Sequence, residues 1–304
     1  MAIQREIWED HIEGNLFKNN EFLLASYDAS QYVLQGKVVH IPQSGATANI
    51  VKNRSSLPAS VTQRSDTDIT YTLDEYTTDP ILIPNADTIE LSYSKRESVL
   101  NEYEAALRQV IAESILYDWA PAAGTNILGT NGTAVTSHLA STTGNRKKFI
   151  ANDLKAAQLA LNKQNIPLDE RYALMSADMY QQLTDDLSQT QYRDFSQAYD
   201  PKAGILGKLF GFNVMMRSTV ISYTNDSTPV AKAYGAAAAA SDNDALLCWQ
   251  LNAVERAIGD LTFFEKVGDP TYYGDLYSVL IRMGARKRRT DEKGILAIVQ
   301  TATS

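Results

Sequence analysis

The sequence predicts an α+β fold for this chain of 304 residues. Residues 96–119 contain no Gly or Pro, and their apolar side chains recur at steps of three and four, which is typical of one long amphipathic helix. Two shorter helical patterns lie at 152–163 and 177–183. Apolar segments typical of strands occur on both sides of the long helix. A single long helix with one apolar face indicates a structural support, a strut, that packs on a sheet.

The long helix has one predicted buried face and one charged face. Ser94 and Glu97 have the spacing of a capping box at its start, and Pro121 marks its end. The expected buried stripe comprises Val99, Leu100, Tyr103, Ala106, Leu107, Val110, Ile111, Ser114 and Ile115. The opposite face carries Glu97, Glu102, Arg108 and Glu113.

A long polar segment, which we call the arm (residues 43–68), separates two predicted strands at 37–42 and 69–73. Structureless loops beyond about 15 residues are uncommon unless they are functional. The sizeable apolar residues of the arm, Ile50, Val51, Leu57 and Val61, are too few to pack by themselves. We therefore expect an extended two-stranded arm that needs a partner. Its candidate contact residues are Lys52, Arg54 and Arg64.

The remaining elements follow from local patterns. Polar or small residues predict loops at 122–144 and 235–244 and a polar stretch up to Asp200. Residues 206–220 indicate a turn punctuated by glycines and then a strand. Further strands are predicted at 81–83, 89–93, 171–175, 245–251, 261–264, 272–283 and 295–299.

The N-terminal segment is amphipathic but short. Its apolar residues are Ile7, Trp8, Ile12, Leu16 and Phe17, followed by Phe22, Leu23 and Leu24. Trp8 and Phe17 are candidate contact residues, which pack either on their own domain or on a neighbouring subunit. The first residues are charged, so they do not form a signal peptide.

Composition excludes several classes of protein. The chain has 36 acidic and 28 basic residues and a net charge of −8, which argues against a dedicated nucleic-acid binder. The single Cys248 cannot form a disulfide within one chain and fits a reducing cytosol. No apolar run approaches the ~20 residues that span a bilayer, so no membrane contact is predicted.

The sequence contains no convincing catalytic or metal-binding pattern. The histidines, His11, His40 and His138, share no metal-ligand spacing with one another or with Cys248. There is no Gly-x-Ser-x-Gly nucleophile motif. Acidic pairs occur at 66/68, 185/186 and 242/244 without a calcium-loop pattern. We therefore predict no catalytic residue, no metal and no cofactor.

One basic cluster lies at 286–289, with Arg282 and Lys293 nearby. Side chains alternate along a strand, so Arg286 and Arg288 are expected on one face and Lys287 and Arg289 on the other. Arg286 and Arg288 are therefore candidate contact residues. A solvated strand end, or ion pairs with acids of another chain, is the favoured interpretation, and direct phosphate contact is the alternative.

The order of the elements forms a recognisable pattern. It consists of the Gly36-Lys-Val-Val-His-Ile-Pro42 entry into a strand, the arm, strands at 71–93, the helix at 96–119, the helix–strand unit with Asn165, Pro167 and Arg171, and Gly211-Phe-Asn-Val214 before the C-terminal strands. This order resembles the major capsid proteins of tailed bacteriophages of the Hong Kong 97 type.

The resemblance implies four parts of the chain. They are an N-arm (1–36), an extended loop or E-loop with its base strands (37–72), a peripheral domain (73–150 and 255–290) with the spine helix 96–119, and an axial domain (151–254 and 291–304). The implied function is structural and not enzymatic. Pentamers and hexamers of the chain are expected to form an icosahedral or prolate capsid around double-stranded DNA, with each E-loop lying over a neighbouring subunit.

The resemblance also implies partners and a location. The chain begins at the N-arm, so we expect a separate scaffolding protein, together with a portal, a possible decoration protein, and packaged DNA held by non-specific contact. The expected location is the virion, after assembly in the host bacterial cytoplasm. Lys52 is a candidate donor for a cross-link by position alone, and no cross-link is predicted. The competing hypotheses are an encapsulin-like nanocompartment shell, a tail or adaptor protein, and an enzyme with an unrecognised site.

Overall fold

A computed structural model describes residues 20–34, 38–45, 49–55, 57–59, 61–84, 95–122 and 124–303. Within these residues the helices are α1 (Lys95–Trp119), α2 (Ala151–Lys163), α3 (Ala177–Asp186) and α4 (Gln189–Ser196). The strands are β1 (Tyr27–Asp28), β2 (Val33–Leu34), β3 (Val38–Gln43), β4 (Thr67–Thr72), β5 (Asp74–Thr77), β6 (Ile81–Pro84), β7 (Ile127–Gly129), β8 (Ala134–Thr136), β9 (Asn145–Lys147), β10 (Arg171–Ser176), β11 (Ile205–Leu209), β12 (Phe212–Arg217), β13 (Ile221–Tyr223), β14 (Asn243–Gln250), β15 (Val254–Asp269), β16 (Gly274–Lys287) and β17 (Ile295–Val299). The mixed content confirms the α+β prediction.

A seven-stranded sheet forms the centre of the larger core. Its order is β11-β12-β10-β14-β17-β7, and β13 pairs with the start of β14. Every residue of β14 is buried, because both faces of the sheet are covered. Successive side chains of a strand point to opposite faces, so Leu246 and Cys248 pack with α2, α3 and α4. Leu247 and Trp249 pack on the other face, against α1.

A second sheet of five strands shares the α1 core. The long antiparallel hairpin of β15 and β16 carries β5 and β6 along the outer edge of β16, and β1 pairs in parallel with β15. Ile281 and Met283 of β16 contribute to the same apolar cluster as Ile111 and Ile115 of α1. The long helix therefore lies against strands of both sheets. The β2-β3-β4 sheet and the β8-β9 hairpin are separate and smaller.

The predicted strut helix is confirmed, and the structure corrects its buried face. Leu107, Ile111 and Ile115 are buried as expected, but Ala106 is exposed. Ala112, Leu116 and Trp119 are also buried, because the C-terminal half of α1 packs against both sheets. Glu113, expected on the charged face, is half-buried beside Arg217 at 3.9 Å. Ser94 and the side chains of Val99, Leu100 and Tyr103 lie outside the described residues.

Some predicted loops contain regular structure. The loop predicted at 122–144 contains β7 and β8, and β7 pairs in parallel with β17. Residues 127–129, assigned by the resemblance to the peripheral domain, therefore belong to the same sheet as β17 of the predicted axial domain. The polar stretch before Asp200 contains α4. Ser188 and Gln191 form a capping box at the start of this helix. The predicted strand at 89–93 lies outside the described residues.

The motif at Asn165, Pro167 and Arg171 has a clear structural role. The buried Arg171 guanidinium donates to the carbonyl oxygens of Pro167 at 2.7 Å and Ile166 at 2.6 Å and to Asn162 Oδ1 at 2.9 Å. Asn165 adopts a left-handed conformation at the turn, which Asn tolerates better than most residues. These contacts tie the end of α2 to the start of β10.

The end of the N-terminal segment packs on its own chain. Phe22, Leu23 and Ala25 are buried in the α1 core. Trp249 Nε1 donates to the Ala25 carbonyl at 2.7 Å, and Arg256 Nε donates to the Leu23 carbonyl at 2.8 Å. Trp8 and Phe17 lie outside the described residues, so their role as contact residues stays a prediction.

Replacement of Trp119 by Ala is expected to lower the free energy of unfolding by about 3–5 kcal/mol, since it opens a cavity where both sheets meet α1. Trp119 is fully buried, with its ring 6.0 Å from that of Phe22 and 5.5 Å from that of Trp249. Chemical denaturation measures the loss. The exposed Tyr117 of the same helix is the control, and Tyr117→Ala should change stability by about 0.5 kcal/mol or less. Equal losses in the two variants would contradict the assignment of Trp119 as a core anchor.

Candidate interaction surfaces

The arm is paired only at its base. The β3–β4 ladder runs from the Val38–Thr72 pair to the Gln43–Thr67 pair. Beyond it, the Gly45 amide donates to Asp66 Oδ1 at 2.8 Å, and Arg64 pairs with Asp66 at 2.5 Å. These two hydrogen bonds lower the pKa of the Asp66 carboxyl, the Gly45 bond most. The described residues between 44 and 66 contain no strand, so the expected two-stranded arm is replaced by an extended loop.

The arm exposes aliphatic side chains. Ile50, Leu57 and Val61 are 95%, 83% and 97% exposed. Single exposed aliphatic residues are normal on a protein surface. Here three lie on one projecting segment beside the exposed cations Lys52 and Arg54, neither of which forms an ion pair within the described part of the chain. The role of Lys52, Arg54 and Arg64 as contact residues stays a prediction.

The base of the arm packs on the body through a small core of its own, which we call the arm root. Val39 of β3 and the buried Leu73 pack with Ala29 and Ala257, and Tyr71 of β4 packs against the same cluster. These residues join β3 and β4 to β15 and to the N-terminal segment. Within its described residues, the arm therefore packs on the body at its base.

A charged group lies beneath the arm root. Glu255 is buried in β15, and its carboxylate pairs with Arg288 Nε at 3.2 Å. The Arg288 guanidinium also stacks 4.1 Å from the centre of the Tyr27 ring. Arg286 donates to the Thr70 carbonyl of β4 at 3.0 Å. The basic cluster thus connects the arm root to β15 and β16.

Burial sets the titration of this group. It raises the pKa of the Glu255 carboxyl, while the Tyr71 hydroxyl and the neighbouring arginines oppose that rise. Burial also raises the pKa of the Tyr71 hydroxyl, and the Glu255 charge adds to the effect. Tyr71 is therefore a neutral phenol at physiological pH.

The predicted alternation of the basic cluster agrees with these contacts. Arg286 and Arg288 face Glu255 and the arm root, and Lys287 faces the end of α1, where its Nζ lies 2.7 Å from Glu292. Arg289 pairs with Asp291 through two nitrogen–oxygen contacts of 2.8 and 3.0 Å. These acids belong to the same chain, which differs from the expectation of acids on another chain. A role for Arg286 and Arg288 in contacts between copies stays a prediction.

Asp118, in the last turn of α1, is a partly buried acid whose pKa is raised. Burial raises its pKa to about 7, the charge of Asp74 adds to the rise, and Lys287 opposes it. The negative end of the helix dipole also disfavours a charge at this position. Asp118 is a group that the periodicity of the sequence did not single out.

Stability is expected to decrease with rising pH through Asp118. Its folded pKa of about 7 lies above the ordinary value of 3.8, so between these values the folded protein binds the proton more tightly than the unfolded chain does. Asp118→Asn should raise the free energy of unfolding at pH 8 by about 1–2 kcal/mol and flatten its dependence between about pH 4 and pH 7. Denaturation at several pH values measures this, with the exposed Asp226→Asn as control. An unchanged slope in Asp118→Asn would contradict the assignment.

The best candidate for chemistry is a hydrogen-bonded group around Asp244. Its carboxylate accepts from the Ser176 hydroxyl and lies 2.8 Å from His138 Nε2. Contact with Asp244 raises the pKa of the His138 imidazole against the opposing effect of burial. The acid lies between the hydroxyl and the imidazole, whereas nucleophile activation needs the imidazole next to the hydroxyl. Ser176 also caps α3 by accepting from the Met179 amide at 3.3 Å.

The other candidate ligands and nucleophiles are accounted for by structural contacts. Asp242 pairs with Lys232 at 2.5 Å, Asp186 accepts from the Ala151 amide at 2.9 Å, and His40 lies 2.6 Å from Asp68 beside the arm. Across the described ranges, no three His, Cys, Asp or Glu side chains are grouped to hold a metal ion. Cys248 is fully buried, and burial raises the pKa of its thiol. His11 lies outside the described residues.

No helix in the described part of the chain has the length and apolarity needed to cross a bilayer.

Comparisons with known proteins rest on the fold. No family model matches the chain, and no curated protein matches it in sequence. The capsid of Ralstonia phage GP4 matches with a TM-score of 0.66 at 10% identity, over 92% of this chain and 88% of that chain. The capsid of cyanophage P-SCSP1u matches with a TM-score of 0.61 at 17% identity, over 92% and 87%. The chain has the fold of tailed-phage major capsid proteins.

A third match extends the fold to another kind of particle. A virus-like particle from Pyrococcus furiosus matches with a TM-score of 0.54 at 9% identity, over 97% of this chain and 99% of that chain. The resemblance to capsid proteins of the Hong Kong 97 type is therefore confirmed at the level of the fold. At these identities the comparisons assign no residue of this capsid-fold chain to a role.

Proposed function

We propose that this protein is a structural subunit that self-assembles into the shell of a phage capsid. The observation that carries the proposal is the match in fold to phage capsid structures over about nine-tenths of both chains. A fold can host unrelated functions, so the surface chemistry matters as well. The exposed arm, which packs on the body at its base, has the features expected of a segment that a neighbouring copy covers.

The arm supplies two kinds of contact in this proposal. Ile50, Leu57 and Val61 become buried when the arm packs against a neighbouring copy. Each of these contacts contributes only a modest free energy of association. Lys52 and Arg54 pair with acidic side chains of that copy, of which the chain has 36. A closed shell repeats these contacts many times, so weak interfaces add to a stable particle.

The finer features follow from the resemblance to capsid proteins. The N-arm (1–36), the E-loop part (37–72), the peripheral part (73–150 and 255–290) and the axial part (151–254 and 291–304) act within pentamers and hexamers, with axial parts at the centre. Double-stranded DNA is held by confinement, which an acidic subunit permits. A separate scaffolding protein, a portal and a decoration protein are the proposed partners. The proposed location is the virion, after assembly in the host bacterial cytoplasm.

Electron microscopy of the purified chain tests the proposal. Closed shells, or capsomers with five- and six-fold symmetry, are expected. A stable monomer under all assembly conditions, and above all one with a measurable turnover, would overturn it.

A nanocompartment shell is the second candidate, favoured by the match to a virus-like particle over 97% of the chain. Both candidates predict closed particles, so the contents decide between them. Particles from an expressing cell that carry co-purified folded enzyme favour the nanocompartment. Particles that fill with DNA only when phage packaging components are supplied favour the capsid.

Deletion of residues 55–64 is expected to leave the subunit folded and to abolish closed particles, because this deletion removes Leu57 and Val61 but no residue of the arm root. Thermal unfolding and electron microscopy measure the two effects. Replacement of the same residues by a Gly-Ser segment of equal length keeps the length of the arm but removes its side chains. This variant therefore shows whether assembly needs the side chains or only the length. Normal shells from the deletion variant would contradict the assignment of the arm.

Reversal of charge at Lys52 and Arg54, in the variant Lys52→Glu/Arg54→Glu, is expected to reduce assembly by about tenfold or more. Light scattering during assembly measures the reduction. Arg193→Glu/Lys202→Glu makes the same change in net charge at exposed positions of the body and is the control. An equal loss in both variants would show that overall charge, and not the arm, is responsible.

A further inference from the structure

The arm root packs closely on one glycine of the five-stranded sheet. Gly284 of β16 pairs with Ala257 of β15. A Cβ atom at Gly284 would lie 3.0 Å from Leu73 Cδ2 and 3.3 Å from Tyr71 Cε2. Its φ angle is not in the left-handed region, so the backbone itself does not require glycine there. The constraint is one of space: a methyl group at this position requires Leu73 and Tyr71 to move by a few tenths of an ångström.

Small residues extend this close approach on both sides. Ala257 is fully buried beside Gly284, and Ala29 is buried on the N-terminal segment. Together Gly284, Ala257 and Ala29 form a flat surface, which we call the seat. Val39 and Leu73 pack with its alanines to form the core of the arm root.

Hydrogen bonds hold the two strands of the arm root beside the seat. On the β4 side, Arg286 Nη1 donates to the Thr70 carbonyl at 3.0 Å. On the β3 side, Gln43 Nε2 approaches the Arg288 carbonyl at 3.4 Å. Arg288 is itself held by the ion pair with Glu255. The position of both strands is therefore determined by packing on the seat and by polar contacts to the end of β16.

We infer that the seat at Gly284 sets the direction in which the arm leaves the body, and that Gly284 is a positioning residue for assembly. The inference rests on the proposed function for its second half only. A displacement at the root of a projecting segment grows with distance along that segment. Contacts that must form at the same time around a shell fail when the geometry forbids them, whatever the chemistry of the contact residues.

Distance measurements on unassembled subunits test the first half directly. Spin labels at Ser55→Cys in the arm and Asp185→Cys in the body report the direction of the arm by pulsed electron paramagnetic resonance. The single native Cys248 is buried and does not compete for the label. Gly284→Ala and Gly284→Val introduce one and three methyl-sized atoms at the seat. Gly124, which has no neighbouring atom within 4 Å of an added Cβ, provides the matched controls Gly124→Ala and Gly124→Val.

Gly284→Val should shift the mean distance by several ångström, with a smaller shift in the same direction for Gly284→Ala and none for the Gly124 variants. Addition of Leu73→Val to Gly284→Ala removes the Cδ2 atom nearest the new methyl group and should return the distance towards that of the parent. Unchanged distances in both Gly284 variants, or equal shifts in the Gly124 controls, would overturn the inference. Gly284→Ala carries the test if the valine variant does not fold.

Assembly tests the second half. Gly284→Val should give about tenfold fewer closed particles than the parent although every arm contact residue is intact, and the Leu73→Val rescue should restore assembly of Gly284→Ala. Normal assembly with a shifted arm would overturn the positioning role. If the parent itself forms no particles, the proposed function fails, while the distance data still decide whether the seat directs the arm.

Discussion

Burial of the end of α1 between the two sheets is the interaction on which the other parts depend. Trp119 contacts Phe22 of the N-terminal segment and Trp249 of the seven-stranded sheet, and its Nε1 donates to the Glu255 carbonyl of the five-stranded sheet at 3.1 Å. One side chain therefore joins three segments that are far apart in the chain. Large apolar area and a satisfied indole N–H make such a junction stable.

Buried charge is concentrated next to this junction. Trp119 donates to the backbone carbonyl of Glu255, and the ion pair between the Glu255 side chain and Arg288 connects the core to the arm root. A buried ion pair contributes little net stability, because desolvation offsets the attraction, but loss of one partner leaves a costly charge. The pair holds the Arg288 side chain against β15, next to the arm root.

Helix and strand patterns predicted much of the fold, and the failures arise where a residue or strand depends on a partner far away in sequence. The strand β15 begins at Val254. Its second and third residues, Glu255 and Arg256, are charged, which in the sequence is typical of surface positions. They are buried because Arg288 pairs with Glu255 and Asp28 pairs with Arg256 at 3.2 Å. β7 has only three residues and is a strand because β17 lies beside it. The cations of the arm were evident in the sequence, whereas the seat at Gly284 was not.

The sequence by itself determined the long helix, the polar arm and the order of elements that resembles a capsid subunit, because periodicity and composition are local properties. Only the tertiary structure decided which polar groups are paired within the chain and where two segments approach too closely for a side chain to be added without movement. Arg286 and Arg288 illustrate the first point, since their partners, the Thr70 carbonyl and Glu255, lie far away in sequence. Gly284 illustrates the second, since Leu73 approaches it only after β16 and the arm root pack together.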